Sequence, residues 1–158
     1  MDVVKVVLVL FLLCNNALLF AQEETYFDAQ PRLKAWMAER LENAKKGKKE
    51  VVEFPMAVRS AAWGCRCPYH YMGITPSVAE GPWILPLEPK GFPKSDEKGH
   101  SLIVVGYFTG KKITKDYRIN KEKEPKAWVY EMPEFKIVSW RKNTKDYNVG
   151  GPKILKSK

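Results

Sequence analysis

The sequence predicts an α+β domain in which one N-terminal amphipathic helix packs on a mainly antiparallel sheet of five or six strands. An apolar stripe with helical spacing lies near the start of the chain, and alternating or continuous apolar runs follow it. Prolines, glycines and charged residues separate those runs. One helix followed by several short strands is typical of the α+β class, and a small OB-like barrel is the first expectation within that class.

The predicted helix extends from about Pro31 to Lys46. Proline suits the first turn of a helix, because its missing N–H has no partner there. Lysines and Gly47 at the other end favour a helix C-terminus. The apolar residues recur at the spacing of one helix face, and we expect this face to pack on the sheet. They are Leu33, Trp36, Met37, Leu41 and Ala44.

A change of period after the helix predicts the first strands. Residues 51–58 alternate between apolar and other residues, which indicates a half-buried strand. Its apolar side consists of Val52, Phe54, Met56 and Val58. Pro55 favours a position near the sheet edge, because proline cannot donate a hydrogen bond to the ladder. Residues 101–108 form a nearly continuous apolar run, which indicates a buried central strand.

The remaining strands are short or interrupted. Residues 82–89 are rich in proline and predict a short extended piece. Residues 126–132 and 134–140 predict two further strands, which Pro133 separates. Polar and turn-forming residues gather between these segments and predict the connections. The connections are expected at residues 90–100, 109–112 and 116–126.

Residues 1–21 have the pattern of a signal peptide. Lys5 precedes an apolar run, and Ala21 supplies the small residue expected before the cleavage site. Asn15 and Asn16 interrupt the run, whereas a membrane-spanning helix needs about 20 continuous apolar residues. We therefore expect export to the periplasm or the extracellular space.

Cleavage leaves a single domain at residues 22–142 and a basic tail at residues 143–158. We expect the tail to be loosely held. The sequence carries a formal net charge of +9, which favours contact with acidic polysaccharide, anionic lipid or a protein partner. The two cysteines that remain after cleavage, Cys65 and Cys67, are too few for a disulfide scaffold, so an apolar core must supply most of the stability.

The chemically densest stretch is AAWGCRCPYHYMG, at residues 61–73. In a straight strand the side chains of Cys65 and Cys67 would face one way and that of His70 the other. The two cysteine Cα atoms would then lie about 6.6 Å apart. That separation is near the upper limit for a disulfide, so a bridge requires the chain to tighten. The outcome depends on whether the chain bends at Pro68.

Four interpretations of the thiols remain open. The first is a structural role, buried or bridged, since cysteine is among the most buried residue types. The second is a zinc or cuprous copper site formed by Cys65, Cys67 and His70, with His100 as a fourth ligand; the Cys-x-Cys spacing differs from that of familiar zinc sites. The third is a redox pair, because Arg66 would favour the ionised thiols. The fourth is a cysteine nucleophile with a histidine as its base.

Aromatic residues surround the two cysteines. We take Trp63, Tyr69 and Tyr71, together with Arg66, as candidate ligand-binding residues. Exposed rings between cations stack sugars or bases, as in barrels that bind single-stranded nucleic acid. The alternative is that the rings fill the core. Among partners, acidic polysaccharide, anionic lipid and protein rank before nucleic acid.

The sequence contains no glycine-rich phosphate loop, no Gly-x-Ser-x-Gly motif and no His-Glu-x2-His motif. We therefore assign no catalytic residue. The sequence predicts a small exported binding or interaction module of unknown ligand. The alternative is a periplasmic metal-binding or thiol-redox protein that uses Cys65 and Cys67.

Overall fold

A computed structural model describes residues 26–62, 64–73, 82–95, 99–144 and 152–157. The predicted signal peptide and Trp63 lie outside these residues. Within them the chain forms one α-helix, a short 3-10 turn and six strands. In chain order these are α1 (Tyr26–Lys45), β1 (Glu50–Val58), β2 (His70–Met72), β3 (Leu85–Leu87), β4 (His100–Asp116), the 3-10 turn (Lys126–Trp128), β5 (Val129–Lys142) and β6 (Lys153–Ser157).

Helix α1 confirms the predicted apolar face. Leu41 is buried, and Leu33, Trp36, Met37 and Ala44 pack on the buried core of the sheet. The helix begins earlier than predicted, so Pro31 lies inside it. Pro31 is the sixth residue of this helix, beyond the first four N–H groups that lack an intrahelical partner, so it removes one hydrogen bond of the helix. No helix in the described part of the chain has the length and hydropathy needed to cross a membrane.

The sheet is mostly antiparallel, as predicted, with the strand order β2-β1-β4-β5-β3 and with β6 also paired to β1. Only β3 and β5 run parallel among the described strand pairs. Strand β4 is central, which confirms the prediction for residues 101–108. Helix α1 covers one face of this sheet, so the α+β class is confirmed.

Strand β1 is not at an edge, contrary to the expectation from Pro55. It pairs with β4 along one side and with both β6 and β2 along the other. The carbonyl of Pro55 accepts a hydrogen bond from the Gly73 N–H at 2.8 Å, on the side of β2. The N–H and C=O of one strand residue point toward the same neighbouring strand. The position where Pro55 lacks an N–H therefore faces the junction between β6 and β2, and not β4.

The OB-like barrel is not confirmed, because the sheet is open. Strands β2 and β3 end the strand order and form no ladder with each other. An isolated bridge between Tyr71 and Trp83 joins β2 to the residues just before β3. The Met72 N–H donates to the Pro82 carbonyl there at 3.0 Å. This short contact brings the two ends of the sheet near each other without completing a barrel.

The prolines and the predicted turn in the β4–β5 region do not interrupt the strands. Residues 109–112 belong to β4, and the predicted strands on either side of Pro133 are the single strand β5. The register of β4 against β5 shifts between Phe108 and Lys112, opposite Pro133. A bulge leaves residues of the longer strand unpaired, and so it accommodates both the proline and Gly110 with its φ of 86°.

The C-terminal segment is more ordered than expected. We predicted a loosely held tail after residue 142, but Lys153–Ser157 form β6 and pair with the first half of β1. Pairing with an existing strand satisfies backbone groups that an isolated tail would expose to water. Residues 153–157 of the basic segment are therefore part of the sheet.

The buried side chains form two clusters on opposite faces of the sheet. We call the first the helix-side core; it lies between α1 and the alternating residues of β1, β4 and β5, and it includes Phe54, Phe108 and Phe135. We call the second the loop-side cluster; it contains Ala57, Cys67, Tyr71, Trp83 and Met132. Cys65 of the loop after β1, and Tyr117 and Tyr130 of the distal half of the β4–β5 hairpin, pack against this second cluster.

Candidate functional site

The cysteine stretch is an irregular loop between β1 and β2, and only its last residues are extended. The sulfur atoms of Cys65 and Cys67 lie at disulfide-bonding distance, and the Cα atoms are 5.4 Å apart. A straight strand would hold those Cα atoms about 6.6 Å apart. The chain therefore tightens at this point, as a bridge between residues so close in sequence requires.

Arg59 holds this loop from inside. Its guanidinium is buried, with 2% of the residue exposed, and it donates to the carbonyls of Cys67 at 3.3 Å and Pro68 at 3.2 Å. It also donates to the Ser60 carbonyl at 3.1 Å and lies 4.2 Å from the centre of the Tyr69 ring. Hydrogen bonds from a charged donor are stronger than neutral ones, so Arg59 fixes the bend at Pro68.

Arg66, between the two cysteines, ties the loop to the distant β4–β5 connection. Its guanidinium pairs with the carboxylate of Glu124 and stacks on the Trp128 ring at 4.7 Å. Glu124 also accepts a hydrogen bond from the Ile119 N–H at 2.7 Å. The hydrogen bond from Arg66 lowers the pKa of Glu124, so the pair stays ionised at neutral pH.

Partly exposed rings meet beside the disulfide loop. We call this the aromatic surface, defined by Tyr69, Tyr117, Trp128 and Tyr130 together with Arg66. The rings of Tyr117 and Tyr130 meet edge to face at 5.8 Å between centroids. Burial, and then the neighbouring Tyr69, raise the pKa of the Tyr117 phenol, so the Tyr117 hydroxyl remains protonated at physiological pH. With 41% of the residue exposed, Tyr69 is the most open of the four rings.

Buried rings support the aromatic surface from below. Tyr71, a candidate ligand-binding residue in the sequence analysis, is fully buried and meets the Trp83 ring edge to face at 5.2 Å. Trp83 in turn meets the Tyr130 ring at 6.1 Å. Edge-to-face pairs of this kind are favourable contacts. Tyr71 therefore positions the surface rings and offers no surface of its own to a ligand.

His70 lies on the opposite face of the sheet from the cysteines. Its ring packs near Phe92 of the helix-side core, at 6.1 Å between centroids. Burial, and then the nearby His100, lower the pKa of His70 to about 4. The Glu88 carboxylate is 3.5 Å from its Nε2, but Glu88 is exposed and its attraction is screened by water. His70 is therefore neutral at pH 7.

The four residues of the predicted metal site are not gathered into one group. His70 and His100 both pair in register with Val58, one on each side of β1, so their Cα atoms are separated by about 10 Å, which is two strand spacings. Cys65 and Cys67 pack with the loop-side cluster on the other face. Within the described residues, no group of three or more His, Cys, Asp or Glu side chains is placed to hold a metal ion.

Sequence reasoning identified Tyr69, Arg66 and the cysteines but missed four residues that complete the arrangement. These are Arg59, Tyr117, Trp128 and Tyr130. The sequence does indicate a role for Arg59, because a charged residue directly after an apolar strand needs buried hydrogen-bond partners. The other three are brought to the cysteine loop by the hairpin, and no local spacing indicates that contact.

Comparison with known proteins yields no relative. No family model matches the chain, and neither the curated proteins nor the solved structures contain a significant match.

Proposed function

We propose that the protein is an exported binding module, and that the aromatic surface beside the Cys65–Cys67 loop binds a peptide segment of a partner protein. The observation that carries the proposal is the arrangement of partly exposed Tyr, Trp and Arg side chains whose positions are already fixed. Tyrosine, tryptophan and arginine are the residues most enriched at the energetic centres of protein interfaces. Export is supported by the signal-peptide pattern of residues 1–21.

Each exposed group on this surface has a partner that holds it. Arg59 lies against Tyr69, Arg66 lies against Trp128, and Tyr130 meets both Tyr117 and Trp83. Side chains that are ordered before binding lose less conformational entropy when the ligand arrives. The disulfide loop and the Arg66–Glu124 pair order the backbone in the same way. This pre-organisation favours a binding role over a purely structural one.

A peptide is favoured over a sugar because ring faces are occupied. A guanidinium covers one face of Tyr69 and another covers one face of Trp128, whereas sugar and base stacking uses open ring faces. The hydroxyls of Tyr117 and Tyr130 remain protonated donors, since burial raises the pKa of both phenols. Such donors suit the carbonyl groups of a peptide backbone.

A peptide library displayed on phage, selected against the intact protein, tests the proposal. Selected peptides should bind at least tenfold more weakly to Tyr69→Ala and to Trp128→Ala, because each change removes a ring of the size that dominates interface energies. Ile119→Ala is the matched control, since Ile119 is 81% exposed in the same connection. Selected peptides that bind all three variants as tightly as the wild type would refute this location of the site.

Export has a separate test. N-terminal sequencing of the protein recovered from the periplasm or medium of an expressing bacterium should begin at Gln22, because Ala21 precedes the expected cleavage site. Retention of the uncleaved chain in the cytoplasm would remove export from the proposal without affecting the peptide-binding surface.

A thiol-redox function is the second candidate, and the unequal exposure of the two cysteines favours it. Cys65 is partly exposed, whereas Cys67 is 3% exposed and its carbonyl is held by Arg59. A substrate thiolate would attack the Cys65 sulfur and break the disulfide, and Cys67 would leave as a thiolate. A second substrate thiol would then displace Cys65, so that two substrate thiols become one disulfide and the protein becomes a dithiol.

Equilibration with glutathione buffers separates the two candidates. A redox protein should show a midpoint within the range of oxidoreductases, about −120 to −270 mV, whereas structural disulfides lie below about −300 mV. Cys67→Ser should trap a mixed disulfide at Cys65, and Cys65→Ser is the matched control. A pair that stays oxidised in reduced glutathione argues against the redox function and leaves the peptide-binding proposal intact.

A further inference from the structure

The sheet face opposite α1 carries side chains from four neighbouring strands or their ends, and four of its five defining side chains are cations. We call it the basic sheet face, defined by Lys49, Tyr107, Lys136, Arg141 and Lys153. Register places Tyr107 opposite Lys136 on β4 and β5, and it places Glu53 opposite Lys153 on β1 and β6. Directly paired residues project to the same side of a sheet, so these side chains share one face.

The orientation follows from the buried residues that alternate with them. Phe54, Phe108 and Phe135 belong to the helix-side core, and each is adjacent in sequence to a member of this face or to Glu53. Successive strand side chains point to opposite faces. The basic sheet face is therefore the side that α1 leaves uncovered, and it is continuous from β6 to β5.

Glu53 and Glu134 also lie on this face and do not cancel its four cations. Glu134 is two residues from Lys136 on β5, and its carboxylate accepts a hydrogen bond from the Thr109 hydroxyl at 2.8 Å. Glu53 accepts a hydrogen bond from Arg141 at 3.0 Å, and this pair is close to neutral. Lys136, Lys153 and Lys49 are exposed and extend the positive charge beyond it. Lysines are also spread widely in space: Lys153 on β6 and Lys136 on β5 are three strand spacings apart, which is about 14 Å.

The spread of charge indicates a polymer as the ligand. A single small anion contacts only one or two of these lysines, whereas a linear polyanion neutralises them together and releases its bound counterions. The Lys49 ammonium lies over one face of the Tyr107 ring, 4.0 Å from its centre, and Tyr107 is the one ring among the described residues that define this face, so stacking of nucleic-acid bases is disfavoured there. We propose that the basic sheet face binds an acidic polysaccharide, in addition to the peptide bound by the aromatic surface.

Binding of fluorescein-labelled heparin to the intact protein, measured by anisotropy at several salt concentrations, tests this proposal. The affinity should fall steeply as salt rises, because counterion release drives the binding. The triple variant Lys49→Ala/Lys136→Ala/Lys153→Ala should lose about tenfold or more in affinity at 0.1 M salt, and its salt dependence should become shallower. Unlabelled polygalacturonate should compete with the labelled heparin.

A second triple variant controls for net charge. Lys90→Ala/Lys121→Ala/Lys123→Ala removes the same charge from other exposed positions and should bind heparin nearly as well as the wild type. Equal losses in both triples, or no binding by the wild type, would overturn the proposal. Tighter binding of a fluorescent oligo(dT) than of heparin would identify nucleic acid as the ligand instead. Circular dichroism establishes that both triples are folded.

Discussion

The two faces of the sheet are stabilised in different ways. The helix-side core consists of aromatic and aliphatic side chains that alternate along β1, β4 and β5 and meet α1. The loop-side cluster is joined by a disulfide, a buried arginine and ring contacts between segments far apart in the chain. Apolar burial is roughly proportional to area and tolerant of direction, whereas hydrogen bonds and ring contacts depend on orientation.

This difference separates the residues that stabilise the fold from those of the proposed binding surface. The helix-side core supplies most of the apolar burial and requires no special chemistry. The loop-side cluster supports the aromatic surface, whose residues, among them Tyr69 and Arg66, are held in fixed positions. A binding surface needs such fixed positions more than it needs a large buried area. Changes in the first region should therefore lower the free energy of unfolding most, and changes in the second should mainly alter the disulfide loop.

The largest expected effect is at Phe135. Its ring lies between Phe54 and Phe108, at 4.9 and 5.0 Å between centroids, and the residue is fully buried. Phe135→Ala should lower the free energy of unfolding by about 3–5 kcal/mol, because it leaves a cavity among large side chains. Urea denaturation measures this loss. Val138→Ala, on the same strand but 60% exposed, should change it by less than about 0.5 kcal/mol.

Acidification should lower the free energy of unfolding, because His70 is buried beside the helix-side core. The pKa of His70 is about 4 in the folded protein and about 6.5 in the unfolded chain, so the unfolded state binds more protons between these values. The stabilisation from neutral His70 is therefore complete above about pH 6.5 and is lost as the pH falls through about 4, by at most about 3 kcal/mol.

Urea denaturation of the wild type and of His70→Gln between pH 7 and pH 4 measures this dependence. The variant has no ionisable group at this position, so its stability should fall less over that range. His100 and Glu88 face His70 and are present in both proteins, which makes the difference specific to His70. Parallel pH curves for the two proteins would contradict the assignment.

Replacing Arg59 should disturb the disulfide loop more than the helix-side core. Arg59→Met keeps the length of the side chain but removes the donors to the carbonyls of Cys67 and Pro68. We expect a loss of about 1.5–3 kcal/mol, the value of hydrogen bonds from a charged group, and faster amide hydrogen exchange across residues 64–70. Arg59→Lys keeps the charge but not the forked geometry and should be intermediate. Unchanged exchange in Arg59→Met would show that the loop does not depend on this residue.

The disulfide should have the smallest effect on global stability. Cys65→Ser with Cys67→Ser should cost only about 1.6 kcal/mol in urea denaturation, since the closed loop is very short and restricts the unfolded chain little. Peptides selected on the aromatic surface should nevertheless bind more weakly, because Arg66 lies between the two cysteines. A loss of stability as large as that of Phe135→Ala would remove the distinction between the two regions.

Local patterns in the sequence were sufficient for the helix-side core. The apolar stripe of α1, the alternation along β1 and the apolar run of β4 each predicted an element that the structure confirms. Periodicity is a reliable indicator where one face of an element is buried and the other is not. The predictions at Pro55 and Pro133 were wrong. Pro55 faces the junction of the short strands β6 and β2, and a register shift between β4 and β5 accommodates Pro133.

Local sequence patterns were enough to predict the helix, the main strands, the buried side of the helix and of β1, and the density of chemistry at residues 61–73. Tertiary structure decided that β6 joins the sheet, that His70 and the cysteines lie on opposite faces, and that Arg66 meets Glu124. These features depend on contacts between residues distant in the chain, and residue spacing encodes only the local geometry of a strand or helix. The aromatic surface exists because the β4–β5 hairpin folds back onto the disulfide loop.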